Sequence, residues 1–365
     1  MIHAVTPYGR EGPSSRVRVF EWLDRTSAPF VLSSYISHRN SRPSYIARHP
    51  FAVLAAERRL SRMAAQRPRR LLLHREASPL SRGDLERRLL DSSEFAVYDF
   101  DDALQWDWGA GGRLRRLAPK APKAVIAAQR ADRVIAGNPV LAEWASQHNA
   151  DVVVIPSCVS PKAYREKTNY EVRDPPRLGW IGSPDNEVYL RLVGPALREI
   201  HRRTGARLTL IGTTRLNLGD LERFTDRVPW SEANQHELLA DLDVGIAPVP
   251  DEPYTRGKSG YKLLQYAAAG TPVVASPIGV NRDILSQLRM PAPGDQREWA
   301  DAILDLLTMS VAARARLGRR ARAVTQRLYS YDAWHAKWEE AVGIADSAAR
   351  DREEPCAAAD TRQTA

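Results

Sequence analysis

Residues 256–276 read Arg-Gly-Lys-Ser-Gly-Tyr-Lys-Leu-Leu-Gln-Tyr-Ala-Ala-Ala-Gly-Thr-Pro-Val-Val-Ala-Ser. The first residues form a basic loop with two glycines, and the apolar residues after them predict a helix. A Gly-Thr-Pro turn ends this helix and a short buried strand follows. Free N–H groups at a helix start attract phosphate, and Lys258 and Lys262 are spaced to lie on one side of the first turn. The stretch therefore predicts a site for an anionic ligand.

The stretch has two other interpretations. Gly257-Lys258-Ser259 resembles the end of a P-loop, but Glu252 replaces the earlier glycine that this motif needs, and its charge would repel phosphate. The two lysines could also be a solvated helix start, since charged side chains are mostly exposed. The strands that precede the stretch, described below, favour the anion site.

Length and composition limit the class of protein. A chain of 365 residues is long for one core and fits two domains. Its 43% hydrophobic and 27% charged residues are typical of a soluble protein, and no apolar run is long enough to span a bilayer. Residues 1–5 are followed by polar ones, so we expect no signal peptide and a cytoplasmic location. Cys158 and Cys356 are too few to indicate a disulfide framework or a metal site.

The net charge of +9 raises the question of a polyanionic partner. Arginines are scattered through the chain, and the densest region, residues 58–88, also contains acids. No motif of the RNA-binding kind is present. Solvated helical faces are the first interpretation of this region, an anionic membrane surface or lipid-phosphate acceptor the second, and nucleic acid the third. We expect no nucleic-acid partner and leave peripheral contact with the inner membrane face open.

Short apolar or β-branched runs alternate with helix-length segments through the first half of the chain. These predicted strands are residues 70–74, 95–100, 132–136 and 151–156. A helix is expected over residues 17–23, with Ser14 or Ser15 as its N-cap. This alternation predicts an α/β fold with a mostly parallel sheet covered on both faces.

A second α/β unit is predicted after a polar connection. Its strands are residues 177–182, 207–212, 243–248 and 271–275, with helices near 186–204 and 231–241. Gly182 and Gly212 end two of these strands, where an open α/β sheet forms its ligand crevice and the backbone approaches the ligand.

The second half of the chain resembles glycosyltransferase family 4. The resemblance is carried by Leu-Gly-Trp-Ile-Gly-Ser at 178–183, Leu-Thr-Leu-Ile-Gly at 208–212, Leu-Asp-Val-Gly-Ile-Ala-Pro at 242–248, and the stretch 256–276. Residues 12–18, 97–103 and 131–138 carry it more weakly. It implies the GT-B architecture, in which two Rossmann-like domains face a cleft. It also implies a retaining transferase that takes a nucleoside-diphosphate sugar and needs no metal or other cofactor.

This resemblance gives the domain organisation. We predict an N-terminal acceptor domain over residues 1–165, a linker over 166–176 and a C-terminal donor domain over 177–328. Residues 329–345, with two tryptophans at helical spacing, resemble the helix that crosses back to the first domain. The alternating small and charged residues of 346–365 predict a disordered tail.

Two positions depart from the family pattern, which has paired glutamates where this chain has Gly257 and Gln265. The resemblance implies that Gln265 hydrogen-bonds the donor ribose, whereas Gly257 has no side chain to hold the transferred sugar. The family also has Arg and Lys after the first strand of the C-terminal domain, where this chain has Gly182 and Ser183.

Because those cations are missing, Lys258 and Lys262 are expected to bind the donor diphosphate, and Ser183 and Ser259 to add hydrogen bonds. The match at Val228 and Pro229 implies contact with the nucleobase. Ser15, Arg16 and Arg18, at the predicted first helix, are expected over the donor phosphates, although Arg16 and Arg18 could equally be surface charges.

Catalytic and acceptor residues are expected in the first domain. Asp101 stands where the family often has a histidine, which implies that it orients a sugar hydroxyl or stabilises oxocarbenium character, with Asp102 sharing the work. A capping role for these acids is the alternative. His74 and the pair Trp106 and Trp108 are the acceptor candidates, with a structural histidine and ordinary packing as their alternatives.

The leading prediction is therefore a hexosyl-type glycosyltransferase that acts with retention on an acceptor hydroxyl. The acceptor could be a glycan, a lipid-linked intermediate or a small natural product. A catalytically weak nucleotide-sugar or polyanion-binding protein on the same fold is the alternative, because both glutamates are missing.

Overall fold

The computed structural model describes residues 1–36, 43–107, 118–212, 216–232 and 234–344. Trp108 and the tail predicted over 346–365 lie outside these ranges. Within them, no helix combines the length and the apolar character needed to cross a membrane.

The first half of the chain forms one parallel sheet. Its strands are β1 Ile2–Thr6, β2 Phe30–Ser34, β3 Arg70–His74, β4 Phe95–Phe100, β5 Arg133–Ala136 and β6 Val152–Val154. They lie in the order β2-β1-β3-β4-β5-β6. In the register, Leu72 pairs with Ala4 on one side and with Val97 on the other. All three are buried, as expected for a parallel sheet covered on both faces.

Helices join these strands. They are α1 Pro13–Ser15, α2 Glu21–Leu23, α3 Pro43–Arg48, α4 Pro50–Ala65, α5 Asp84–Ser92, α6 Lys120–Arg130 and α7 Pro139–Ala145, with π-helical Arg16–Phe20 between α1 and α2 and a 3-10 turn at Leu104–Trp106. The prediction that Ser14 or Ser15 caps the first helix is wrong. Gly12 is the N-cap, because Pro13 takes the first helical position and both serines then fall inside the first turn.

The second half forms a second parallel sheet. Its strands are β7 Arg177–Ile181, β8 Arg207–Gly212, β9 Thr225–Pro229, β10 Val244–Ala247 and β11 Val273–Ala275. They lie in the order β11-β10-β7-β8-β9, and every pair is parallel. The edge strand β9 was not predicted, because its sequence Thr-Asp-Arg-Val-Pro contains two charges and a proline.

The helices of this half are α8 Pro184–Glu187, α9 Gly194–Thr204, α10 Gln235–Leu238, α11 Pro253–Arg256, α12 Tyr261–Ala269, α13 Asn281–Leu288, α14 Gln296–Thr308 and α15 Val311–Leu328. Four 3-10 turns accompany them, at Pro161–Ala163, Val188–Val193, Gly219–Phe224 and Leu239–Asp241.

Helix α12 packs closely on the second sheet. A Cβ at Gly245 of β10 would lie 2.6 Å from Cδ1 of Tyr266, so only glycine allows this approach. The Tyr266 hydroxyl donates to the Gly179 carbonyl over 2.9 Å and accepts from the Ile181 N–H over 3.0 Å. These contacts fix the start of α12 at the carboxyl edge of the sheet.

Helix α16 Tyr331–Ala341, the last one in the described part of the chain, returns to the first domain. Trp338 stacks on Trp22 with ring centroids 5.3 Å apart, and Tyr331 meets the edge of the same ring at 4.8 Å. The Tyr331 hydroxyl donates to the Val17 carbonyl over 3.1 Å. The predicted two-sheet α/β architecture and its crossing helix are therefore confirmed.

Candidate functional site

Loops at the carboxyl ends of the two sheets meet across a gap. Asn138 follows β5, and its side-chain N–H donates to the Gly257 carbonyl, in the loop between α11 and α12, over 2.9 Å. The Asn138 side-chain oxygen accepts from the Leu141 N–H over 3.0 Å and so caps α7. One buried side chain therefore holds a loop of the second domain against a helix of the first.

Gly257 packs tightly against the first domain. A Cβ added there would lie 2.6 Å from Cβ of Ala103 and 3.0 Å from Cδ2 of Leu141. The position that carries an acid in the family pattern is thus a packing contact in this chain, with no room for a carboxylate.

Lys258 and Lys262 both lie at this loop and at the first turn of α12. The Lys262 ammonium sits over the Trp180 ring, 4.4 Å from its centroid, and the Lys258 ammonium sits over the Tyr254 ring at 4.9 Å. Lys262 contacts no carboxylate in the described part of the chain. Burial, and then the neighbouring Lys258, lower the pKa of Lys262 to about 7.

Gly182 and Ser183 lie beneath Lys262, at the end of β7. A Cβ at Gly182 would meet Cε of Lys262 at 2.8 Å, so the glycine leaves space for the lysine stem. The Ser183 hydroxyl accepts from the Asn186 side-chain amide over 2.9 Å and borders the same space. Ser259 is half-buried in the loop before α12.

Ser15 and Arg16 bring unsatisfied polar atoms to the gap from the first domain. Both residues are buried, and Oγ of Ser15 and Nη1 of Arg16 have no hydrogen-bond partner among the described residues. The Arg16 guanidinium lies over the Trp230 ring of the second domain, 5.3 Å from its centroid. It is also close to the Tyr261 hydroxyl, where it opposes the rise in pKa that burial causes. The guanidinium therefore faces the start of α12.

Arg18 has an internal role, neither on the surface nor in the gap. It donates to both carboxylate oxygens of Asp99, over 3.1 and 2.5 Å, and to the Ile155 carbonyl over 2.7 Å. Burial alone would raise the pKa of Asp99, but Arg18 and His74 outweigh it and hold that pKa below its ordinary value.

His74 is fully buried between Asp99 and Ser14. Its Nδ1 lies 2.8 Å from Oδ1 of Asp99, and its Nε2 lies 2.7 Å from Oγ of Ser14. An ionised carboxylate can only accept, so Nδ1 donates to Asp99. His74 thus reaches the gap only through Ser14. The pairing has a simple source in the strands, because His74 and Asp99 are register partners in β3 and β4.

Asp101 and Asp102 share one cation, Arg75. Arg75 Nε donates to Oδ1 of Asp101 over 2.8 Å, and Nη2 forms a short contact with Asp102. Burial would raise the pKa of Asp101, but Arg75, His74 and Arg18 together hold it below its ordinary value. Asp101 is therefore ionised at neutral pH.

The remaining predicted residues lie around this gap or near its rim. Gln265 is buried and donates to the Tyr164 hydroxyl over 3.2 Å. Val228 and Pro229 end β9, beside Trp230. Trp106 is 55% exposed in the 3-10 turn that follows β4. Sequence reasoning missed Asn138 and Arg75 as organising residues, because their partners are distant in the chain.

The Gly257 contact makes a prediction about stability. Gly257→Ala should destabilise the protein by about 1–3 kcal/mol, because its Cβ overpacks the contact with Ala103. Urea unfolding measures the change. Gly294→Ala is the matched control: Gly294 is exposed, lies outside the left-handed region, and its Cβ would have no neighbour closer than 3.4 Å, so this variant should be neutral or more stable. Equal stability of the two variants would contradict the close approach at Gly257.

Comparisons with known proteins agree with this architecture. The sequence pattern of the family described as "Glycosyl transferases group 1" matches residues 175–309, which include β7 to β11 and α12. No curated protein sequence matches significantly.

Three solved structures are similar over nearly their full length. Sucrose-phosphate synthase from Thermosynechococcus elongatus has a TM-score of 0.70 at 14% identity, covering 95% of this chain and 99% of that one. Anabaena HepE in complex with UDP-glucose has a TM-score of 0.63 at 13% identity, covering 96% and 99%. WaaG, a glycosyltransferase involved in lipopolysaccharide biosynthesis, has a TM-score of 0.61 at 14% identity, covering 94% and 100%. The chain therefore has the GT-B fold, and its second domain matches the group 1 glycosyltransferase pattern.

Proposed function

We propose that the protein transfers a sugar from a nucleoside-diphosphate sugar to an acceptor hydroxyl, with retention of anomeric configuration. The observation that carries the proposal is unbalanced positive charge in the gap between the domains. Arg16 of the first domain faces the start of α12, and Lys262 of the second domain lies on the first turn of that helix. Neither side chain is paired with a carboxylate within the described ranges. A cation that is removed from water without a counter-charge favours binding of an anion.

A diphosphate matches this site in charge and in hydrogen-bonding capacity. The helix start adds N–H groups and the positive end of a dipole, and the hydroxyls of Ser15, Ser183 and Ser259 are nearby donors. When the bond from the anomeric carbon to phosphate breaks, the leaving diphosphate gains negative charge. Cations already in place stabilise that charge most in the transition state, and this lowers the barrier.

In the proposed reaction the acceptor oxygen bonds to the anomeric carbon as the phosphate oxygen leaves. The acceptor proton passes to the departing phosphate, so charge and atoms balance without a metal. Asp101, held ionised beside Arg75, would stabilise positive charge that develops on the sugar ring, with Asp102 as its neighbour. These roles are proposals that rest on the position of both acids after β4.

Donor recognition is proposed to use the second domain. A complex of Anabaena HepE contains UDP-glucose, so a uridine diphosphate hexose is the first donor to test. Val228 and Pro229 would lie at the base, and Gln265 would reach the ribose beside Tyr164. Gly257 would not bind the transferred sugar, because it has no side chain and packs against the first domain.

The acceptor class stays open among a glycan, a lipid-linked intermediate and a small natural product. The exposed Trp106 offers an aromatic face to a sugar or lipid acceptor. His74 would act on the acceptor side only by positioning Ser14. We propose a cytoplasmic protein that makes peripheral contact with the membrane and binds no nucleic acid.

A catalytically weak binding protein on the same fold is the rival proposal. Two observations support it. The packing at Gly257 leaves no room for an acidic side chain, and the Gln265 amide already donates a hydrogen bond to the Tyr164 hydroxyl. Both proposals predict donor binding, so turnover separates them.

Turnover is tested with a panel of nucleoside-diphosphate sugars, by following release of the nucleoside diphosphate with and without acceptor extract. We expect release from at least one donor, and Arg16→Gln should weaken donor binding about 10- to 100-fold, since hydrogen bonds to charged groups are strong. Arg202→Gln is the control, because Arg202 is 72% exposed and pairs only with Glu199. Binding without release from any donor would favour the rival, and unchanged binding by Arg16→Gln would contradict the phosphate site.

Asp101→Asn should lower turnover on the order of 100-fold while leaving nucleoside diphosphate affinity unchanged, because the carboxylate is proposed to act on the transition state. Single-turnover kinetics and calorimetry measure the two quantities. Asp102→Asn also removes a partner of Arg75, so it reports how much of the loss comes from freeing that arginine. Full activity in Asp101→Asn would remove this residue from the mechanism.

Donor binding should take up a proton above neutral pH. Lys262, with a pKa of about 7, is mostly neutral in the free protein at about pH 8.5, and a diphosphate raises its pKa by favouring the charged form. At about pH 6 the lysine is already charged, so uptake should vanish. Calorimetry of uridine diphosphate in buffers of different ionisation enthalpy counts the protons. Lys262→Gln should abolish proton uptake by the lysine and leave any proton exchange of the nucleotide itself unchanged. Identical proton uptake in both proteins would contradict a role of Lys262 at the diphosphate.

A further inference from the structure

The outer face of α4 is apolar at its start and cationic further along. Phe51 is 86% exposed and Leu54 is 46% exposed. Arg58 and Arg62, both exposed, continue the same stripe, because residues three or four positions apart lie above one another on a helix. We call these four residues the α4 stripe.

The opposite face of α4 explains why the stripe points outward. Val53, Ala56, Leu60 and Met63 are buried in the core of the first domain. Glu57, the single acid of the helix, is turned inward and accepts hydrogen bonds from the Tyr35 hydroxyl, over 2.8 Å, and from the Ser78 hydroxyl. The outer face of the helix therefore carries positive charge without negative charge.

The apolar end of the stripe lies at the same edge of the first sheet as the candidate site. Tyr35 and Ser78, which hold Glu57, come just after the carboxyl ends of β2 and β3. The turns of α4 before Glu57 therefore extend beyond that edge. The loop that begins at Ser78 adds Leu80, which is 53% exposed and whose N–H donates to the Ser78 hydroxyl over 3.0 Å.

Helix α15 also has a cationic outer face, and a comparison of the two faces shows what distinguishes α4. The outer face of α15 presents Arg316, Arg319, Arg320 and Arg327. Val311, at the helix start, is the one large apolar side chain exposed on it. Charge alone is common on protein surfaces, and single exposed apolar residues need no explanation. Exposed Phe and Leu joined to arginines on one helix face are instead typical of helices that lie in a membrane interface.

We propose that the α4 stripe docks on a bilayer surface of anionic lipids. Phe51 and Leu54 enter the interface, and Arg58 and Arg62 bind the lipid phosphates. This places the membrane beside the cleft, within reach of a lipid-linked acceptor. The lipid-linked acceptor rests on the proposed function and narrows its acceptor class. Docking on the membrane itself requires no sugar donor.

The test is cosedimentation of the full chain with phosphatidylglycerol vesicles and with phosphatidylcholine vesicles, in the absence of donor. We expect binding to the anionic vesicles only. Arg58→Ala with Arg62→Ala should weaken it about 25-fold, since each arginine near an anionic surface contributes about fivefold. Phe51→Ser with Leu54→Ser should weaken it on the order of tenfold or more. These side chains are exposed, so thermal unfolding should be unchanged.

Arg316→Ala with Arg320→Ala on α15 is the matched control, because it removes the same charge from a face with little apolar surface. An equal loss in this control would show general electrostatic attraction and overturn the proposal. So would binding that survives Phe51→Ser with Leu54→Ser, or no binding to either vesicle. If the α4 variants instead convert a dimer to a monomer in sedimentation, the stripe is a protein interface and the proposal fails. If the protein binds neither kind of vesicle but still binds nucleotide, the docking proposal fails while the proposed function stands.

Discussion

The geometry of the gap depends on the side chain of Asn138. Its oxygen caps α7 in the first domain, and its amide donates to the Gly257 carbonyl in the second. A buried amide that serves both partners fixes their separation, because losing either hydrogen bond would leave a polar group unsatisfied. Glycine at 257 follows from this constraint, since any side chain would collide with Ala103.

The charges of the site follow from the same contact. The loop that Asn138 holds carries Lys258 and leads directly into α12, where Tyr261, close to the Arg16 guanidinium of the first domain, is followed by Lys262. Elsewhere in the described chain, buried cations are paired or bonded: Arg18 with Asp99, and Lys123 with Glu76. Buried Arg16 departs from that pattern, and half-buried Lys262 likewise has no carboxylate partner in the described ranges. Local departures of this kind are expected at functional sites and not in a core.

Much of the second domain could be predicted from the sequence, because most of its strands are apolar, glycine follows or ends β7 and β8, and amphipathic helices alternate with the strands. The crossing helix was also predictable, from the spacing of its tryptophans. Strands β1, β2 and β9 were missed, since β2 and β9 lie at sheet edges and a histidine interrupts the apolar residues of β1. The pairings of Asn138, Arg75 and His74 join positions far apart in the chain, so no local pattern could reveal them. The lost acid at Gly257 was visible in the sequence, but its packing reason was not.

The central claim is that cations from both domains form one diphosphate site at the start of α12. A crystal structure with uridine diphosphate tests it most directly. The account predicts phosphate oxygens within hydrogen-bond distance of Nη1 of Arg16 and Nζ of Lys262, beside the first N–H groups of α12. A diphosphate bound elsewhere, or in contact with neither side chain, would contradict it.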